Sequence, residues 1–145
     1  MGKTTIIAEV GKNFIITEQD EPIEILLDRA KLLAIKAKEC GASIVKYQTH
    51  VWADESKLRA GSRKEWTLRN ERLTPFNEFW KPLKEYCDEI GIEFLSTGMS
   101  LLAAKKVEPL IQRWKIPSGN IHDLELLEYV ARSDKPIILS SGMTL

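Results

Sequence analysis

The sequence predicts an α/β fold, a partial (β/α)8 TIM barrel made of its first five strand–helix units. Three observations point there. Short apolar strands alternate with amphipathic helices along the chain. Those strands are rich in Ile, Val, Leu and Phe, as in a parallel sheet buried on both faces. Each strand also begins apolar and ends polar, which places chemical groups at the strand end where barrels of this kind build their sites. Right-handed crossovers alone would also permit an open doubly wound sheet, and the polar strand ends favour the barrel.

Thr5–Gly11 reads as the first strand. Asp20 is placed to cap a helix whose first turn holds Glu21 and Pro22. Ile23, Leu26, Leu27, Ala30, Leu33, Ala34 and Ala37 then recur at helical spacing, and Gly41 ends the run. Ser43–Thr49 is the second strand. Trp52–Leu73 is long and polar, lacks clear periodicity and carries Arg63, Lys64, Arg69 and Arg72. It reads as a loop over the active-site face, either a lid or a solvated connection.

Helical patterning resumes at Thr74-Pro75, with Phe76, Phe79, Trp80, Leu83, Tyr86, Cys87 and Ile90 on one face. Pro82 kinks that helix or marks its proper start, and Gly91 stops it. Ile92–Thr97 is strand three, Ser100–Ile111 helix three, Arg113–Ser118 strand four, Asp123–Arg132 helix four and Ile137–Ser141 strand five.

Composition narrows the function. With 145 residues, 43% hydrophobic and 29% charged, the chain can build one core. Lys+Arg and Asp+Glu balance at 21 each, which argues against nucleic acid as a partner. No apolar run reaches membrane-span length, and no signal-peptide core opens the chain. The expectation is a cytoplasmic protein without a membrane partner, in which Cys40 and Cys87 are reduced packing residues. His50 and His122 lack partners at metal-ligand spacing and read as surface or core residues.

The strand ends carry the chemistry. Glu9 ends strand one. Lys46 and Gln48 share a face of strand two because side chains alternate with period two. Thr97 ends strand three, Lys115 and Ser118 lie on and just beyond strand four, and Ser140 and Ser141 end strand five. An unpaired ammonium in an apolar strand is costly, so Lys46 and Lys115 call for anions. Glu9 can satisfy one of them, and a ligand with several negative charges suits both. Two cations with hydroxyl donors around a small anion fit a phosphoenolpyruvate pocket. The plainer reading is a structural Glu9–Lys46 pair with hydroxyls bonded to backbone.

Five motifs, AEVGKN (Ala8–Asn13), VKYQT (Val45–Thr49), FLST (Phe94–Thr97), KIPSG (Lys115–Gly119) and KPIILSSGM (Lys135–Met143), resemble in order and spacing those of the sialic acid synthase family. That family includes N-acetylneuraminate, legionaminate and pseudaminate synthases. The resemblance implies condensation of phosphoenolpyruvate with an N-acetylated amino sugar of the N-acetylmannosamine type. It implies Glu9 near the reacting carbons, with Lys46, Thr97, Lys115, Ser118 and Ser140 holding phosphoenolpyruvate. Gln48 and Asn120 would face the sugar.

The resemblance further implies a divalent metal, Mn²⁺ or Mg²⁺, with ligands outside this chain, and a homodimer at full length. Two positions depart from the family pattern. Phe14 stands where a histidine is usual, and Asn120 stands where an acid is usual, with Asp123 a nearby candidate carboxylate. A complete barrel of this class takes about 250 residues. The chain therefore reads as the N-terminal portion of a longer synthase, without the later strands or the C-terminal antifreeze-like domain, and inactive by itself. The alternatives are another barrel lyase acting on an anionic substrate, or a non-catalytic interaction module.

Overall fold

A computed structural model of the chain describes residues 4–58 and 63–142. Met143, the last residue of the fifth motif, lies outside them. In chain order the elements are β1 (Ile7–Gly11), α1 (Ile23–Glu39), β2 (Ile44–Thr49), α2 (Trp52–Leu58), α3 (Lys64–Leu73), a π-helical turn (Phe76–Trp80), α4 (Lys81–Ile90), β3 (Glu93–Gly98), α5 (Leu101–Val107), β4 (Trp114–Ile116), α6 (Leu124–Ala131) and β5 (Ile137–Leu139). The predicted alternation of strand and helix is present, and the strand pairs are parallel.

The described strands form two ladders, β1-β2-β3 and β4-β5. Side-chain bonds link β3 to β4 at both ends. Near their starts Arg113 donates to both carboxylate oxygens of Glu93, at 2.6 and 2.8 Å. Near their finish the Asn120 amide donates to the Met99 carbonyl at 3.0 Å.

The core lies between the strands and the helices. Leu26, Ala30 and Ala34 of α1 are buried, as the apolar stripe requires. Phe14, Tyr47, Phe79, Trp80 and Phe94 form a fully buried aromatic cluster. Burying rings of this size contributes several kcal/mol in all, at about 25 cal/mol per Å². The Tyr47 hydroxyl donates to the Ala30 carbonyl at 2.9 Å, so its polar tip is not stranded. Phe14, the first departure from the family pattern, is a central member of this cluster. Gly98 ends β3 where α5 crosses, and a Cβ there would run into the backbone of Ala103 and Ala104.

Several sequence expectations need correction. Trp52–Leu73 is not a loop: its described parts are the helices α2 and α3. Their apolar residues are too few for periodicity to reveal them. Asp20 does not cap α1, whose N-cap position is Pro22, with no side-chain cap. It receives Arg69 and Arg72 of α3 instead. Strands four and five are shorter than predicted, and α5 gives way at Val107 to a 3-10 turn. Cys40 is exposed rather than packed, whereas Cys87 is buried and its thiol is pushed up to about 12 by desolvation. The Pro82 reading holds: the π-helical turn becomes α4 one residue before it.

Candidate functional site

Register brings the polar strand ends together. Glu9 of β1 lies directly opposite Lys46 of β2, and Gln48 lies opposite Thr97 of β3. The Lys46 ammonium bonds to the Glu9 carboxylate and also donates to the Thr97 hydroxyl at 3.3 Å. Lys46 is only 8% exposed, whereas half of the Glu9 side chain meets solvent. The buried partner of this ion pair is the cation.

A register shift between Glu9 and Gly11 interrupts the β1–β2 ladder, the kind of irregularity that re-aims side chains beside active sites. Gly11 takes φ +58°, and a Cβ on it would sit 3.5 Å from Glu9 Oε1 and 3.7 Å from the Gln48 amide. Glu9 and Gln48 therefore flank the same bare stretch of backbone.

From β4, Lys115 donates to the Ser140 hydroxyl beyond β5, and to the Ile116 carbonyl at 3.1 Å. Its ammonium is held below the ordinary lysine range, first by desolvation and then by the charge of Lys46, with Glu9 pulling the other way. Lys115 on β4 thus senses the charges of Lys46 on β2 and Glu9 on β1. Nearby, the turn Ser118–Asn120 follows β4, and Ser118 lies against Gly142.

Glu9, Lys46, Gln48, Thr97, Lys115 and Ser140 are accordingly gathered at one end of the strands. Asn120 lies just past the same end of β3 and β4, bonded to Met99 two residues beyond Thr97. It is buried, its amide nitrogen is committed to Met99, and its Oδ1 has no hydrogen-bond partner among the described residues. Asp123 is not a free carboxylate beside it: it caps α6 by accepting from the Leu126 N–H at 3.2 Å.

Sequence reasoning missed a second group of charges beneath α2 and α3. Lys12, just past β1, lies over the rings of Phe14 and Trp80 and donates to Thr74 Oγ1 at 3.4 Å. Desolvation and then Lys106 lower its ammonium to about 7, with Glu55 acting against them. His50 is buried against Glu55. The one sequence signal was Glu55 itself, an acid in the first turn of a helix, placed to reach back toward the preceding backbone.

Among the described residues, no group of three or more His, Cys, Asp or Glu side chains is placed to hold a metal ion. The described residues do not by themselves compose the divalent-metal site that the resemblance implies.

Fold and site together define an α/β domain of parallel strands whose polar residues converge at the strands' carboxyl ends. The chain belongs to the NeuB family, whose family model matches residues 33–145. It is 34% identical over 139 residues to the uncharacterized protein MJ1065 of Methanocaldococcus jannaschii, covering 93% of this chain and 40% of that protein. It is 34% identical over 154 residues to the N,N'-diacetyllegionaminic acid synthase of Campylobacter jejuni, covering 99% of this chain and 43% of that enzyme.

The N-acetylneuraminate-9-phosphate synthase of Homo sapiens is 30% identical over 148 residues, covering 95% of this chain and 39% of that enzyme. A crystal structure of the N-acetylneuraminic acid synthetase of Leptospira borgpetersenii, in complex with citrate, shares the fold. Its TM-score is 0.77 at 24% identity, over 99% of this chain and 46% of that one. The chain spans about two fifths of the length of the curated relatives it matches.

Proposed function

We propose that this chain forms the first five strand–helix units of a (β/α)8 barrel synthase that condenses phosphoenolpyruvate with an N-acetylated amino sugar. The products are a sialic-acid-like nonulosonate and phosphate. The observation that carries this reading is the approach of Lys46 and Lys115 around Glu9, with Thr97 and Ser140 as their hydroxyl partners. Lys115, desolvated and repelled by Lys46, forms with it an incomplete charge arrangement. A ligand bearing both a carboxylate and a phosphate completes it. Membership of the NeuB family supports the same reading.

In this reaction carbon three of phosphoenolpyruvate attacks the sugar aldehyde, water adds at carbon two, and phosphate leaves with cleavage of its C–O bond. Lys46 and Lys115 hold the substrate's charges and stabilise those that develop. Thr97, Ser118 and Ser140 supply hydroxyl donors. Glu9, fixed by Lys46, lies beside the reacting carbons, and Gln48 faces the sugar on the other side of Gly11. A divalent metal held by residues outside the described ones would supply Lewis-acid polarisation of the aldehyde.

The barrel reading draws on β5. Ile137 and Leu139 are exposed there, a face that a further strand–helix unit would cover. Among the described residues no helix is long and apolar enough to cross a membrane. A cytoplasmic location and a full-length homodimer complete the proposal.

Calorimetry comparing phosphoenolpyruvate with pyruvate tests it, beside a phosphate-release assay with phosphoenolpyruvate and N-acetylmannosamine, in the protein that carries this chain. Binding of phosphoenolpyruvate alone, with sugar-dependent phosphate release, is expected. Equal binding of pyruvate, or no sugar-dependent release with any N-acetylated amino sugar, would overturn the reading.

A further inference from the structure

The α2–α3 segment is fastened to the strand ends at several points. Asp54 accepts from the Leu102 N–H at 2.7 Å, at the start of α5. Glu71 accepts from the Trp52 N–H at 2.9 Å, which ties α3 to α2. Arg69 donates to Asp20 and to the Thr17 and Gln19 carbonyls in the β1–α1 connection. Contacts of this kind on the surface are individually weak. One fastening is different because it is buried.

His50 and Glu55 are each 2% exposed. His50 Nδ1 lies 3.0 and 3.1 Å from the two Glu55 oxygens, and Glu55 also accepts from the Val51 N–H at 3.1 Å. The Trp66 ring of α3 meets the imidazole edge to face at 4.8 Å. Lys12, past β1, acts electrostatically on Glu55, and Lys106 of α5 acts in turn on Lys12 and on Glu71 of α3. Both bonds to Glu55 come from residues 50 and 51, immediately after β2. Gln48 lies two residues upstream, next to Gly11 and Glu9. A buried carboxylate that loses its imidazole keeps its desolvation cost with one fewer partner. The pair is therefore a strong local constraint on the end of the strand that carries Gln48.

We propose that His50 is a positioning residue: held by Glu55, it locks α2 and α3 onto the end of β2 and so fixes Gln48 on the sugar side of the site. The assignment to the sugar rests on the function proposed above, whereas the lock itself does not. His50 acts through other groups and touches no reacting atom in this scheme.

Two variants test it in the protein that carries this chain. His50→Ala removes the bond to Glu55. In His50→Asn the amide nitrogen takes the place of Nδ1 and can still donate. Hydrogen exchange over Trp52–Glu55 and Lys64–Leu73 reads the lock, and steady-state kinetics read the site. His50→Ala should lose protection over both stretches. It should raise the KM for N-acetylmannosamine about tenfold while leaving the KM for phosphoenolpyruvate within about twofold. His50→Asn should restore both properties. Unchanged exchange in a folded His50→Ala protein would overturn the lock. An equal rise in both KM values would overturn its assignment to the sugar side. A wild type without turnover would sink the proposed function, and the exchange measurement would still decide the lock.

Discussion

Glu9 and Lys46 face each other from directly opposite positions on adjacent parallel strands, and the lysine is the buried member of the pair. This burial is the reverse of what a salt bridge built around a buried carboxylate would show. The glutamate keeps half of its side chain exposed to solvent.

Glu9→Gln should separate structure from chemistry. The amide oxygen can still accept from Lys46, and the pair is partly screened by solvent. Stability should fall by about 1–3 kcal/mol, since the buried Lys46 ammonium keeps an acceptor but loses its counter-charge. Turnover should fall by about a hundredfold or more if the carboxylate works at the reacting centre. Thermal melts beside steady-state rates check this, and a large loss of stability with turnover retained would reduce Glu9 to a structural partner.

Lys115→Ala and Lys46→Ala should each weaken phosphoenolpyruvate binding by about 2 kcal/mol or more, roughly thirtyfold. Their effects on the free protein should differ. Lys115 loses part of its proton affinity to Lys46, so its removal relieves a repulsion and should leave the unliganded protein at least as stable. Lys46→Ala leaves Glu9 without its cation and should lower stability. Calorimetry and melts with and without ligand measure both, since a ligand that binds only the folded state raises its stability. Near-wild-type affinity in both variants would remove the anion pocket.

Lys12 supplies the pH dependence. Burial, followed by repulsion from Lys106, lowers its folded pKa from 10.5 to about 7. The unfolded state therefore binds more protons between about pH 7 and pH 10.5, and this group's contribution to stability rises with pH across that window. The cost of burying the ammonium is fully present below about pH 7. Lys12→Met, similar in length and uncharged, should therefore melt higher than wild type at pH 6.5, with the gap closing as the pH approaches 10. Melts across that range check the sign, and a gap that widens with pH would show that Lys12 is stabilised as a cation by Glu55 and the ring faces of Phe14 and Trp80.

Much of the site was legible in the sequence because its signals are local. Lys46 and Gln48 share a face through strand alternation alone, and the five polar strand ends stand out against apolar runs. The α2–α3 segment was opaque for the opposite reason. Its few buried groups, Thr67, Asn70 and Leu73 on α3 and Glu55 on α2, include three polar residues, so no apolar stripe marks the helices. Asp20 misled because a short acid before a helix has the same appearance whether it caps that helix or binds arginines far along the chain. The bond of the Asn120 amide nitrogen to a backbone carbonyl of the neighbouring strand end is likewise a tertiary contact that no local pattern signals.

The sequence by itself determined the order of strands and helices and the end of the strands that carries polar groups, because hydrophobic period and turn chemistry act over a few residues. Tertiary structure decided which charge meets which. Glu9 took Lys46 rather than Lys115, Glu55 turned back to His50, and Lys12 came to lie over the neighbouring Phe14 ring and the distant Trp80 ring. The physical reason is that an ion pair depends on distance and desolvation. Both quantities exist only after the chain has brought remote residues together and excluded water from around them.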